Sequence, residues 1–180
     1  MKLAVLILVA FALSVTVAHA DHSMGVKWPG QRPVVPVILA VSSDINPICN
    51  CSWESETLTA IWNWNLSTAV HLNVVAIRQP CAMPFRYQGI LICNFNLPGW
   101  YAGFTEWNSS GPNFRQVVSY LNDAMIYPSR AVACHEMGHA LGLDAGHFGH
   151  GQPFGSHSCM SNDWDAPNFH DYEQLSIIYR

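Results

Sequence analysis

The stretch that most restricts this chain is Cys134-His135-Glu136-Met137-Gly138-His139-Ala140-Leu141-Gly142-Leu143. His135 and His139 stand four residues apart, so on a helix they share one face, one turn above the other. Two neutral imidazoles so placed can hold one Zn²⁺, each Zn–N bond being about 2.0–2.1 Å. Glu136 then lies about a quarter turn from His135, beside the metal's open position. A carboxylate there can take a proton from a water whose pKa the metal has pulled down to about 7. A helix carrying such ligands must stop soon after the second one if the chain is to fold back with a third. Gly142 suits that stop, because glycine accepts the left-handed conformation at a helix C-terminus without a Cβ penalty.

Past Gly142 the chain is dense in histidine and glycine, Leu143-Asp144-Ala145-Gly146-His147-Phe148-Gly149-His150-Gly151, and further on comes Ser158-Cys159-Met160-Ser161. On these residues the sequence resembles the metzincin clan of zinc peptidases, H-E-x-x-H-x-x-G-x-x-H followed by a Met-turn. Within that clan it is similar to the small secreted matrixin-like metallopeptidases. The resemblance implies His135 and His139 as zinc ligands, Glu136 as general base and Met160 as the apolar floor beneath them. The clan's third histidine falls ten residues after its first, which here is Ala145, and alanine binds nothing. The clan's Gly-Leu-Gly-His reads here as Gly142-Leu143, Asp144-Ala145, Gly146-His147, so a two-residue insertion would restore the third ligand as His147. His150 and Asp144 are the alternatives, since a carboxylate also binds zinc.

The resemblance runs from about residue 34 to 179 and is sharp only from Cys134 onward. It implies an α/β (α+β) fold: a twisted, mostly parallel five-stranded sheet, a packing helix, the ligand-bearing helix, a Met-turn and a C-terminal helix. Gly99-Trp100-Tyr101-Ala102-Gly103 and Leu121-Asn122-Asp123 sit where such peptidases have sheet-edge segments. In the clan an edge strand above the zinc pairs with an extended substrate, as any free edge can by strand addition. The likeness also implies a bridge between Cys134 and Cys159. No pro-domain and no cysteine switch are expected. No histidine lies between His71 and His135, so a second, structural zinc has no visible ligand set, and the sequence leaves a structural Ca²⁺ open. Asn162 stands where some metzincins place a tyrosine near the zinc.

The chain opens with Lys2 and an apolar run over 3–12 that stays apolar or small to Ala18. Ala18-His19-Ala20 is an A-x-A cleavage signature, so residues 1–20 read as a signal peptide and the protein as secreted. Without Lys2, seven Lys/Arg face twelve Asp/Glu, and Lys27 is the one lysine left. No basic patch exists for nucleic acid, and no other segment approaches a membrane span. The expected partner is a peptide or protein substrate, and the expected state a monomer. Six cysteines in an exported chain argue for disulfides, with fifteen pairings open. Apart from Cys134 and Cys159, either Cys49 and Cys51 pair with Cys81 and Cys93, or one bridge joins Cys81 to Cys93. A cysteine zinc knot fits poorly, as no C-x-x-C occurs.

Residues 21–33 carry Pro29 and Pro33 with little periodicity and read as an extended arm before a catalytic domain over 34–180. Strands are expected over 34–41 (from near Pro36), 71–77, 90–95, 100–107 and 114–121, the last two joined by a turn at 108–112. Residues 54–65 read as a helix packing on the sheet through Leu58, Ile61, Trp62 and Leu66, with Trp62 and Trp64 as core rather than a sugar platform. Residues 129–141 are the ligand-bearing helix behind Pro128, and 167–179 a final helix with Leu175, Ile178 and Tyr179 inward. His71 and His170 read as ordinary strand-end and helix-start residues. Asn50, Asn65 and Asn108 begin N-x-S sequons that read as ordinary turn asparagines. The reading as a whole is a zinc metalloendopeptidase. Its rivals are an inactive zinc-binding relative serving as a secreted binding module, and a zinc hydrolase acting on a non-protein amide.

Overall fold

A computed structural model describes residues 23–77, 79–81, 88–97, 101–125, 127–144, 157–161 and 164–180. The expected signal peptide, His147, His150, Ala145 and Asn162 lie outside the described residues. The β-branched, apolar runs become β1 (Val34–Ala40), β2 (His71–Ile77), β3 (Gly89–Phe95), β4 (Gly103–Ser110) and β5 (Asn113–Asn122). They form one sheet in the order β2-β1-β3-β5-β4. Every ladder is parallel except β4 with β5. Parallel neighbours need a crossover, and α1 (Trp53–Trp64) supplies it between β1 and β2. The α/β class and the mostly parallel five-stranded sheet are therefore as expected. Pro36 is tolerated inside β1 because the β1–β3 ladder begins only at Val37, one residue later.

The main core lies on one face of the sheet, beneath α1, α2 (Arg130–Ala140) and α3 (Phe169–Ile178). Ile90 and Ile92 of β3 point into it, while Leu91 and Cys93 join Ile38 in a smaller cluster on the opposite face. That two-sided cover is why central β3 is a continuous apolar run rather than an alternating one. Trp64 is fully buried; its indole N–H donates to the Cys134 carbonyl at 3.0 Å, and Tyr172 of α3 meets it edge-on. α3 starts on a capping box in which Asn168 and Asp171 satisfy each other's backbone N–H groups, and it turns Leu175, Ile178 and the following Tyr179 inward.

Three expectations need correction. The buried face of α1 is Trp53, Glu56, Thr57, Ala60, Ile61 and Trp64, whereas Leu58, Trp62 and Leu66 are 36%, 63% and 57% exposed. Of the two tryptophans only Trp64 is core. Trp62 precedes it by two residues, about 200° around the helix, and so must face away. The second correction is the hairpin: β4 continues through Ser110, so only Gly111 and Pro112 turn. Gly111 takes the required positive φ of 59°, and a bulge at Asn108/Ser109 absorbs the register shift. The third concerns cystines. Cys134–Cys159 forms as the resemblance implies and Cys81–Cys93 as the second of the two alternatives has it, while Cys49 bonds Cys51 two residues away, a pairing neither alternative named.

Residues 23–33 are also more than an arm. Lys27 exchanges backbone hydrogen bonds with Pro112 and Phe114, its ammonium donates to the Ile178 carbonyl at 2.6 Å, and the buried Trp28 indole donates to the Ala140 carbonyl at 2.9 Å. The segment thereby ties the start of β5 to the ends of α2 and α3. Among the described residues no helix is long and apolar enough to cross a membrane, and the three cystines fit an oxidising compartment.

Candidate metal centre

α2 carries Cys134, His135, Glu136 and His139 across the sheet face behind β4 and β5. It ends as Gly142 predicts. That residue takes a φ of 91°, Gly142 N–H bonds the His139 carbonyl and Leu143 N–H the Gly138 carbonyl, which together make a Schellman motif. A side chain at Gly142 would also meet the Val26 carbonyl at 2.4 Å, so the N-terminal segment passes directly over the stop. The reversal delivers the Leu143 carbonyl to His139, whose Nδ1 lies 2.9 Å from it. On the other side, the 3-10 turn Cys159–Ser161 offers the Cys159 carbonyl to His135 Nδ1, again at 2.9 Å.

A carbonyl can only accept, so both Nδ1 atoms carry the proton and both Nε2 atoms present a lone pair. The two Nε2 atoms face each other 3.0 Å apart. Neither can donate to the other while both rings are neutral. Protonation is opposed by burial: it pushes His135 down to about 4, with the neighbouring His139 adding to the effect and the Cys159 carbonyl opposing it. Burial likewise lowers His139, against the Leu143 carbonyl and Asp144. Two half-buried, neutral imidazoles with mutually facing lone pairs fit a shared cation. Two nitrogens on one tetrahedral zinc would lie about 3.3–3.4 Å apart, close to the separation found.

Glu136 projects from the same turn and is 5% exposed. Thr105 of β4 donates from Oγ1 to its Oε2 at 2.7 Å. Burial pushes the carboxyl up to about 7 despite that bond, which puts the group where it can both accept and return a proton at neutral pH. Gly138, one position before His139, allows close contact beneath the two histidines: a Cβ there would stand 2.2 Å from Met160 Sδ and 2.9 Å from the Trp64 ring. The Cys134–Cys159 bridge holds this turn under α2. Ser158 reinforces it, donating to Asp171 Oδ2 at 2.5 Å and accepting the Met160 N–H.

The structure thus brings His135 and His139 together and sets Glu136 beside them. Asp144 is exposed just beyond the stop. Among the described residues no three His, Cys, Asp or Glu side chains form a metal-sized group, and His147 and His150 lie outside those residues. Sequence reasoning placed Gly103 in a sheet-edge segment but not against Glu136, and it did not find Thr105, Ser119 or the two carbonyls that orient the imidazoles. Each comes from a distant segment or from backbone, with no local signature.

No protein-family model matches this sequence, and no curated protein matches it. Among solved structures, a chain of the "GM1 bound form of the ECX AB5 holotoxin" is similar with a TM-score of 0.49 and 14% identity over 86% of each chain. A likeness that low carries no argument about fold or chemistry.

Proposed function

We propose that this chain is a secreted zinc-dependent endopeptidase of the metzincin-like, matrixin-like type that its motif resembles. The observation that carries the reading is the pair of Nε2 lone pairs 3.0 Å apart, each ring locked in that tautomer by a carbonyl on its Nδ1. His135, His139 and, from the sequence pattern, His147 would hold one Zn²⁺. Bound there, the ion would supply Lewis acidity toward a peptide carbonyl and acidify water. Glu136 would take the proton of the attacking water and pass it to the leaving amine, the two roles of a general base set beside the metal's open position. Among the described residues β4 is the end strand of the sheet, and it touches Glu136 through Thr105, so an extended substrate adding to its outer edge would lie beside the base.

Metal analysis and a peptide-cleavage assay test this together. The wild type should carry about one Zn²⁺ per chain. Glu136→Gln should retain the metal and lose at least about 10²-fold in hydrolysis. Zinc present with no cleavage across a broad peptide library would favour the inactive binding module, for which Ala145 in place of the clan's third histidine is the motive. A secreted protein with no bound divalent metal would end both readings.

A further inference from the structure

Thr105 and Ser119 are directly opposite each other in the β4–β5 ladder. Their hydroxyls lie 2.9 Å apart on the face that meets α2. Thr105 Oγ1 is 2.7 Å from Glu136 Oε2 and 3.1 Å from the Glu136 carbonyl, and Ser119 Oγ is 3.4 Å from that carbonyl. Each hydroxyl has one proton, and both the carboxylate and the carbonyl only accept. The Thr105 proton goes to the charged and nearer acceptor, Oε2, because charge-assisted bonds are the stronger ones. Ser119, buried behind it, then donates to Thr105 Oγ1 or to the helix carbonyl.

The other side of the carboxylate is defined by an absence of side chain. Gly103 lies two residues before Thr105 on the same face of β4. A Cβ there would stand 3.0 Å from both Glu136 Cγ and Oε1, and 2.8 Å from the Tyr120 carbonyl. The carboxylate occupies the room that any larger residue would fill. Oε2 is thus tied down, and Oε1 is the oxygen left to receive a proton. We infer that Thr105, backed by Ser119, is a positioning residue for Glu136, holding one carboxylate oxygen so that the other alone serves as proton acceptor. This inference rests on the peptidase reading, and it assigns Thr105 no contact with substrate. Proton transfer is sensitive to such placement, since a displacement of about 1 Å can cost about 10²-fold.

The test compares Thr105→Val, which keeps the shape and removes the hydroxyl, with Thr105→Ser, which keeps the hydroxyl. In the zinc-loaded protein Thr105→Val should lower kcat at least about 10-fold with KM and zinc content unchanged, and Thr105→Ser should stay within about 3-fold of wild type. A second readout needs no turnover: the Glu136 carboxyl carbon signal in NMR spectra of metal-free and zinc-loaded protein should move in Thr105→Val and stay in Thr105→Ser. A Val variant as active as wild type, a Ser variant as impaired as Val, or a carboxyl signal identical in all three proteins would overturn the inference. A zinc-loaded wild type that cleaves nothing, with the carboxyl signal still moved by Thr105→Val, overturns the peptidase reading and with it the catalytic use of the contact. The two failures are therefore distinguishable.

Discussion

Replacing Glu136 by Gln should stabilise the metal-free protein at alkaline pH while removing the proposed base. The folded environment raises this carboxyl from an ordinary 4.5 to about 7, chiefly through burial, so the folded state holds the proton more tightly than the unfolded chain. The stability this contributes is fully present below about pH 4.5. It is lost as pH rises through about 7, where a buried carboxylate must form. Each pKa unit is worth about 1.4 kcal/mol, so the loss amounts to about 3 kcal/mol. Gln cannot titrate, and its amide oxygen can still accept from Thr105, so it escapes the loss. Urea unfolding of metal-free wild type and Glu136→Gln, disulfides intact, measures the difference at pH 4.5 and at about pH 9. The variant's advantage should grow by about 3 kcal/mol between the two. The lowered histidines titrate in both proteins and largely cancel. Zinc should shrink the alkaline gap, because a cation beside the carboxylate offsets its burial. A gap that is the same at both pH values, or a wild type favoured at high pH, would refute the argument that burial governs this group.

Gly138→Ala should destabilise by about 1–3 kcal/mol in thermal or urea unfolding, because its methyl would overlap Met160 Sδ and the Trp64 ring. Removing the Cys134–Cys159 bridge by double Ser substitution should cost about 3 kcal/mol for a cross-link of this span. It should also weaken zinc binding about 10–100-fold in a competition titration, since the Cys159 carbonyl orients His135. His147→Ala should reduce zinc affinity and hydrolysis together, with His150→Ala and Asp144→Ala milder; the reverse order would move the third ligand to another residue.

Features governed by neighbours in the chain were legible without the structure. Gly142 ends α2 because only a left-handed residue closes the Schellman turn there. The β-branched runs become strands, and α3 buries Leu175, Ile178 and Tyr179 at helical spacing. His135 and His139 meet because a helix repeats every 3.6 residues, whatever surrounds it.

Choices among locally equal options were settled elsewhere in the molecule. α1 carries two apolar stripes of helical period, and periodicity cannot rank them; Trp64 wins because its indole reaches the Cys134 carbonyl in α2. Trp28 enters the core because the ends of β5, α2 and α3 converge where residues 23–33 pass. The hairpin was likewise resolved by ladder register. The surroundings of Glu136 are the clearest case. The sequence by itself determined that a carboxylate stands beside two histidines on one helix. Only the tertiary structure decided that Thr105, 31 residues earlier, holds one of its oxygens and that Gly103 leaves room for the other. The physical reason is that helix period and turn chemistry act over a few residues, whereas a hydrogen bond between a strand and a helix depends on how the whole sheet is ordered and packed.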